Sequence, residues 1–389
     1  MTRILYISTL DPVAPRAHVY NVLQTVVHIA AQASIRLAIP ARVHAADADT
    51  YLREYLGIQE DIPFLFVPSI GTRFAASRYR ALHWLEMILQ SVSFCRLLVR
   101  ERHTYEWVYL RDFSLFIPAL FARYVLRKKI AYEVHAVLHA HGQEWRNSVL
   151  VRHAHCVIAI TDALRNHYLS ANPNTATVVC AAAEPERFID ITETREELRR
   201  TFQIPENAIV LGYTGNMGRT GNNDPYGIED IIDALPHLPA QVHFVGYGKR
   251  GTETTALENH IAHLGLTNRA LVRGHVSKTD VYRFLRACDI LVIPSAGNQI
   301  GNAPSKTYEY LASGLPIVAA RTVANEEVLT DKKDALLVDA KDPQDWAGAI
   351  ESLMRESSLK ENLVARAKET AQEYTWEARA RKILHALEA

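Results

Sequence analysis

The sequence predicts an α/β protein made of two facing Rossmann-like, doubly wound domains. Three observations predict it. The chain has 389 residues, more than one ordinary domain and enough for two. Short, nearly continuous apolar runs alternate with longer stretches of helical periodicity, the pattern of parallel strands buried on both faces. That alternation pauses at a polar, charge-dense segment, Ile191 to Gln203, and then restarts.

In the first half the apolar runs predict strands at Ile4–Ser8, Ile35–Ile39, Phe64–Val67, Trp107–Leu110, Ile130–Val134, Val157–Ile160 and Thr177–Val179. Helical patterns lie between them, among them His18–Gln32, Ala81–Glu101 and Leu115–Leu126. In the second half the predicted strands are Ile209–Tyr213, Val242–Val245, Leu271–Val272, Ile290–Ile293, Ile317–Ala319 and Ala335–Val338. The two halves join near 184–195. In open sheets of this kind, ligands bind beyond the carboxyl ends of the strands, so the chemistry is sought in those loops.

Composition removes several functions. Lys plus Arg number 43 and Asp plus Glu 43, so no net basic surface for nucleic acid is expected. Hydrophobic residues at 48% exclude a disordered chain. Cys95, Cys156, Cys180 and Cys288 form no C-x-x-C pair, which points to free thiols in a reducing compartment and to no structural metal. Between Arg16 and Arg36 there are 19 residues without Asp, Glu, Lys or Arg. His18, Asn21, Gln24, His28 and Gln32 nevertheless draw a polar stripe there, unlike a helix that spans a membrane. The chain opens on the strand-like Arg3-Ile4-Leu5-Tyr6-Ile7, so no signal peptide is expected and the protein reads as cytoplasmic.

The stretch from Ile290 to Ala319 is the richest in chemistry. A buried strand ends at Pro294, a small-residue loop follows, and a helix is expected to begin near Pro304 or Ser305 and end at Gly314. Free amides of Ser305, Lys306 and Thr307 at that helix start would suit a diphosphate. Glu309, at i+4 from Ser305, lies on the same side, and its carboxylate can accept two hydrogen bonds from a ribose diol.

The run from Pro304 through Ser305-Lys306-Thr307-Tyr308-Glu309 to Gly314-Leu315-Pro316 resembles the C-terminal signature of nucleotide-sugar-dependent glycosyltransferases with the GT-B fold, in particular glycosyltransferase family 4. Tyr213-Thr214-Gly215-Asn216 resembles the first loop of that family's donor domain, and Phe244-Val245-Gly246-Tyr247-Gly248 its next strand-to-loop turn. Val272-Arg273-Gly274-His275-Val276, Leu285–Asp289 and Tyr374-Thr375-Trp376 match further stretches in the family's order. The resemblance implies an acceptor-side domain over 1–187, a nucleotide-sugar domain over 195–370, and a last helix over 371–389 that crosses back to the first domain. It implies a retaining sugar transfer from a nucleoside diphosphate sugar, with that donor as co-substrate and no tightly bound cofactor or metal. The acceptor would be a hydroxyl on a glycan, a lipid-linked molecule or a small molecule, which suggests polysaccharide biosynthesis.

The resemblance also assigns residues. Glu309 takes the ribose. Lys306, Arg219, Ser305, Thr307, Gly215 and Asn216 take the diphosphate, with Lys249 a weaker candidate. Gly246, Gly248, Arg273 and Val276 line the base. His135, closing the strand that ends Tyr132-Glu133-Val134, faces the transferred sugar, and domain closure would complete the site. Arg16 and His18 stand on the acceptor side, with His139 and His141 as weaker candidates. The family often carries two glutamates with seven residues between them, and Gly301 occupies the first place here. Asn298, Asn302 or backbone at Gly301 would then touch the donor sugar. An Arg and a Lys of the family's first C-domain loop are replaced by Asn216 and Tyr226.

One helical stretch raises a membrane question. Leu82, Trp84, Leu85, Ile88, Leu89, Val92, Leu98 and Val99 follow Arg73, Arg78 and Arg80. Basic residues beside an apolar face suit peripheral contact with the inner face of an anionic membrane, and core packing explains the apolar part equally well. Two other functions stay open at this stage: a nucleotide-sugar epimerase on the same architecture, and a non-catalytic nucleotide-sugar-binding partner subunit.

Overall fold

A computed structural model describes residues 2–14, 17–41, 50–68, 80–137, 141–178, 182–218, 224, 226–248, 254–294 and 305–389, without the side chains at 17, 80–86, 141 and 142. The chain divides into two compact units, one of Met1–Cys180 with Trp376–Ala389 and one of Ala181–Thr375.

The N-terminal unit holds seven parallel strands: β1 (Arg3–Ile7), β2 (Ser34–Pro40), β3 (Phe64–Val67), β4 (Trp107–Leu110), β5 (Lys129–Val134), β6 (Cys156–Ala159) and β7 (Thr175–Thr177). Their order is β3-β2-β1-β4-β5-β6-β7. The chain winds outward from β1 to β3, returns to place β4 beside β1, and winds the other way. Strand β1 and strand β4 therefore flank the topological switch point. All four residues of β4 are buried, as are all but the first of β1 and β5, which explains their unbroken apolar character.

The C-terminal unit repeats the plan with β8 (Ile209–Thr214), β9 (Val242–Tyr247), β10 (Ala270–Arg273), β11 (Ile290–Ile293), β12 (Ile317–Ala320) and β13 (Leu336–Val338), ordered β10-β9-β8-β11-β12-β13 and all parallel. Its core joins Leu211, Phe244, Ile231, Ile232, Val292 and Trp346 from strands and helices on the sheet. The charge-dense stretch before β8 folds as the helix Arg195–Thr201, started by a capping box in which Thr194 and Glu197 satisfy each other's free amides. Arg199, only 6% exposed, turns inward from that helix to Asp289, with a 2.6 Å ion pair.

The expected strand at Thr177–Val179 lies earlier, at Thr175–Thr177. The buried Asn172 side chain pins the preceding turn to Val151 and Ala154 carbonyls, so Asn174 meets Val157 and sets the register. The helix expected at Ala81–Glu101 spans Arg80–Arg100. Its Phe94, Leu97 and Leu98 are buried, whereas Ile88, Val92 and Val99 stay exposed, so one side serves the core and another apolar stripe does not. Arg73 and Arg78 lie outside the described residues, as does the Arg80 side chain. Among the described residues no helix is long and apolar enough to cross a membrane. Cys156 and Cys288 are buried free thiols and Cys95 is partly buried, while Cys180 lies outside the described residues.

Candidate functional site

In the C-terminal unit the chemistry gathers where β8, β9 and the helix Lys306–Ala312 meet. That helix is held by Tyr308, Tyr310 and Leu311, all buried. The Tyr310 hydroxyl accepts the Thr214 backbone N–H at 2.8 Å, which ties the helix to the carboxyl end of β8. On the next turn of chain stands Gly215, at φ 141°, a left-handed conformation that side chains avoid. Its neighbour in space is Lys306. The Lys306 ammonium donates to the Tyr213 hydroxyl at 2.7 Å and sits 4.0 Å from the centre of that ring, a cation–π contact. The same nitrogen would lie 2.9 Å from a Cβ placed on Gly215. Burial pushes the ammonium down to about 7, and Glu309 pulls in the opposite direction. A lysine poised this way gains its charge readily when an anion arrives.

Gly248 has a stricter reason for being glycine. A Cβ there would fall 1.7 Å from the backbone oxygen of Gly215, so the β8 and β9 loops touch backbone to backbone. The Gly215 N–H in turn donates to the Tyr247 carbonyl at 2.9 Å. Gly246 is different: Met217 Sδ and Phe244 fill the space where its side chain would be, which is a packing requirement of the core. Asn216 Nδ2 donates to the Tyr226 hydroxyl at 3.2 Å. The two residues that stand at the family's cationic positions thus bond to each other as a neutral pair.

Glu309 is partnered by Lys278, the first residue of the helix Lys278–Ala287, in a close charge-assisted hydrogen bond. Both side chains are largely buried. Lys278 escaped the sequence reading because nothing local marks it: 31 positions separate it from Glu309, and the two stand on different helices, Lys278–Ala287 and Lys306–Ala312, that only the fold brings together. Thr307 is buried and its hydroxyl has no hydrogen-bond partner among the described residues. Ser305 precedes the helix without capping it. Arg273 lies at the end of β10, its guanidinium on Gln203 and over the Tyr247 ring, and Val276 follows in the loop before Lys278, partly exposed. Arg219, Lys249, Asn298, Gly301 and Asn302 lie outside the described residues.

The N-terminal unit holds a second constellation at the end of β5. His135 Nε2 is 2.6 Å from Glu133 Oε1. The other carboxylate oxygen of Glu133 accepts from Arg379 at 2.7 Å and from the Tyr109 hydroxyl. Glu133 and Arg379 are 2% and 3% exposed, so this is a desolvated ion pair and not a surface one. Burial alone would raise the Glu133 pKa, but Arg379, His135 and Arg111 hold the carboxyl well below the usual carboxylate range. Burial lowers the His135 pKa and Arg111 and Arg379 lower it further, with Glu133 opposing them. The imidazole is therefore neutral near pH 7. Donation to Glu133 puts its proton on Nε2 and leaves Nδ1 as an acceptor. Arg379 comes from the last helix, Trp376–Glu388, which packs on the helix Ala17–Ala30 and takes Thr25 Oγ1 as a further partner at 3.0 Å. His18 lies in the first turn of Ala17–Ala30, partly exposed. Arg16, His139 and the His141 side chain lie outside the described residues.

Residues 194–370 match the family model described as glycosyl transferases group 1. That span contains Gly215, Gly248, Lys278, Lys306 and Glu309. The chain has the GT-B fold and resembles glycosyltransferase family 4. Among relatives of this GT-B chain, the D-inositol 3-phosphate glycosyltransferase of Corynebacterium urealyticum is 28% identical over 60% of this chain and 57% of its own. The GT-B chain thus spans little more than half the length of the curated relatives it matches. Similar solved structures include the Anabaena protein HepE in complex with UDP-glucose, with a TM-score of 0.77, 18% identity and full coverage of both chains. The sucrose-phosphate synthase of Thermosynechococcus elongatus has a TM-score of 0.76 and 15% identity, over 100% of this chain and 98% of its own. At these identities the two structures establish the fold and nothing finer.

Proposed function

We propose that the protein is a retaining glycosyltransferase that moves a sugar from a nucleoside diphosphate sugar to a hydroxyl acceptor. The observation that carries this reading is the grouping of Gly215, past the end of β8, with Lys306 and the Glu309–Lys278 pair on the helices Lys306–Ala312 and Lys278–Ala287, inside the span that matches the family. Glu309 accepts from the ribose diol and is held for that task by Lys278. Lys306, protonated on binding, meets the diphosphate as negative charge builds on the leaving group. In the reaction the bond between the sugar's anomeric carbon and the phosphate oxygen breaks, a bond to the acceptor oxygen forms, and the acceptor's proton leaves. The nucleoside diphosphate departs. The donor is a co-substrate, and no tightly bound cofactor enters this scheme. UDP-glucose in the HepE structure makes uridine nucleotides the first donors to test. His135 takes its role at the transferred sugar from the family resemblance.

A thermal-shift panel of nucleotides and nucleotide sugars tests the reading. A true donor at about 100 times its Kd stabilises by about 2.7 kcal/mol, and Glu309→Ala should remove most of that shift. His135→Ala should keep the shift while lowering turnover. If no nucleotide moves the transition, the donor-site reading fails. Consumption of a bound donor without any acceptor would favour the epimerase, and a solved UDP-GlcNAc 2-epimerase of Neisseria meningitidis does share the architecture, with a TM-score of 0.64.

A further inference from the structure

The N-terminal unit carries a pocket of about 260 Å³ beyond the carboxyl ends of β4 and β5, lined by Arg111, Asp112, Ser114, Tyr132, His135 and Asn147 among others. It opens beside the switch point between β1 and β4, the place where sheets of this winding bind ligands. Its volume is below the roughly 300–1,000 Å³ of pockets for drug-sized molecules, so it suits a single ring with one substituent.

The wall is built and mostly satisfied. The Tyr132 hydroxyl donates to Asn147 Oδ1 at 2.7 Å, and Asn147 Nδ2 donates to the Tyr168 hydroxyl at 2.8 Å. One oxygen of Asp112 accepts from Ser8 Oγ, Thr9 N–H and Thr9 Oγ1 at 2.8, 2.7 and 3.1 Å, which ties the end of β1 to the pocket rim. Its other oxygen has no hydrogen-bond partner among the described residues. Glu133, a buried carboxylate two residues before His135, is already engaged by Arg379, Tyr109 and His135. Arg111 stands apart from this bookkeeping: among the described residues its guanidinium makes no hydrogen bond and no ion pair. Its positive field still reaches His135, Glu133 and Tyr132.

A five-donor guanidinium without an acceptor among the described residues, at a pocket where Tyr132, Asn147 and one Asp112 oxygen are already bonded, calls for an anion from outside. We propose that this pocket binds a single-ring polyol carrying one anionic group, a phosphate or a carboxylate, with Arg111 on the anion and the free Asp112 oxygen accepting from a ring hydroxyl. His135 lines the same pocket, and its Nδ1, an acceptor, takes a second hydroxyl. That this ligand is the sugar acceptor rests on the transferase reading. The binding site itself does not.

The test uses the full chain without nucleotide, titrated calorimetrically with glucose 6-phosphate, glucuronate and glucose. One charge-assisted, bidentate contact should make an anionic hexose bind about tenfold tighter than glucose. Arg111→Gln should abolish that preference and Arg111→Lys should keep part of it. The tighter of the two anionic probes identifies the anion as phosphate or carboxylate. Glucose binding as tightly as both, or a preference that survives Arg111→Gln, overturns the proposal. Nucleotide-induced thermal shifts in the same samples read the other unit separately, and they should be unchanged by Arg111→Gln, which also checks folding. An Arg111-dependent preference without any nucleotide shift would sustain the pocket and refute the transferase reading. A nucleotide shift without the preference would do the reverse.

Discussion

Raising the pH through neutrality should weaken nucleoside diphosphate binding, because Lys306 must be charged to meet the diphosphate and the empty site disfavours that charge. Burial pushes the ammonium down to about 7. In the unliganded protein about half of it is protonated at pH 7 and about a tenth at pH 8, so affinity should fall by up to about tenfold per pH unit above 7, or about 1.4 kcal/mol. The nucleotide's own terminal phosphate titrates near pH 6, so the range from pH 7 to 8.5 isolates the lysine. Calorimetry in two buffers of different ionisation enthalpy should show proton uptake on binding, growing from about half a proton at pH 7 toward one at pH 8. Lys306→Arg, always charged, should flatten the profile, and Lys306→Met should flatten it at weaker affinity. Stability of the unliganded chain has the opposite sign. The folded pKa lies below the ordinary 10.5, so the unfolded chain binds more protons between the two values and stability rises with pH from about 7 to 10.5. Lys306→Met should accordingly raise the Tm at pH 7. Affinity that stays level from pH 7 to 8.5, with no proton uptake, would refute the assignment of the diphosphate to Lys306.

Two further outcomes follow from single contacts. Gly248→Ala sets a Cβ against the Gly215 carbonyl and must part the β8 and β9 loops. It should cost about 1–3 kcal/mol in denaturant unfolding and weaken nucleotide binding, whereas unchanged unfolding and binding would show that the loops have room to spare. Arg379→Met strands the Glu133 carboxylate without its buried partner. The loss should be about 3–5 kcal/mol, and adding Glu133→Gln should recover much of it. A single variant as stable as the parent would mean that the network is looser than its distances imply.

The alternation of apolar runs with helical periodicity was enough to place two doubly wound sheets, and Trp107–Leu110, Phe64–Val67 and Ile290–Ile293 appear in the structure with the predicted ends. Burial on both faces of a parallel strand demands an unbroken apolar run, so Trp107–Leu110 and Ile290–Ile293 announce themselves locally, and Phe64–Val67 does so by its apolar run although it is the partly buried edge strand. Thr175–Thr177 carries no such run, and its register depends on where Asn172 is anchored. Glu309 and Lys306 were legible for a similar reason, since a short motif holds strand end, loop and helix together. His135 was visible as a strand-end histidine. Its partners were not.

By itself, then, the sequence determined the fold class, the winding of both sheets and the motif residues, because each is written within a few turns of chain. Only the tertiary structure decided that Lys278 pairs with Glu309, that Asn216 hydrogen-bonds Tyr226, and that Arg379 reaches Glu133 across 246 positions. It also placed Arg111, without a hydrogen-bond or ion-pair partner among the described residues, at the pocket beside His135. Pairings of this kind depend on strand order and on which helix returns to which sheet, and no local pattern encodes the distance between side chains that fold from opposite ends of a chain.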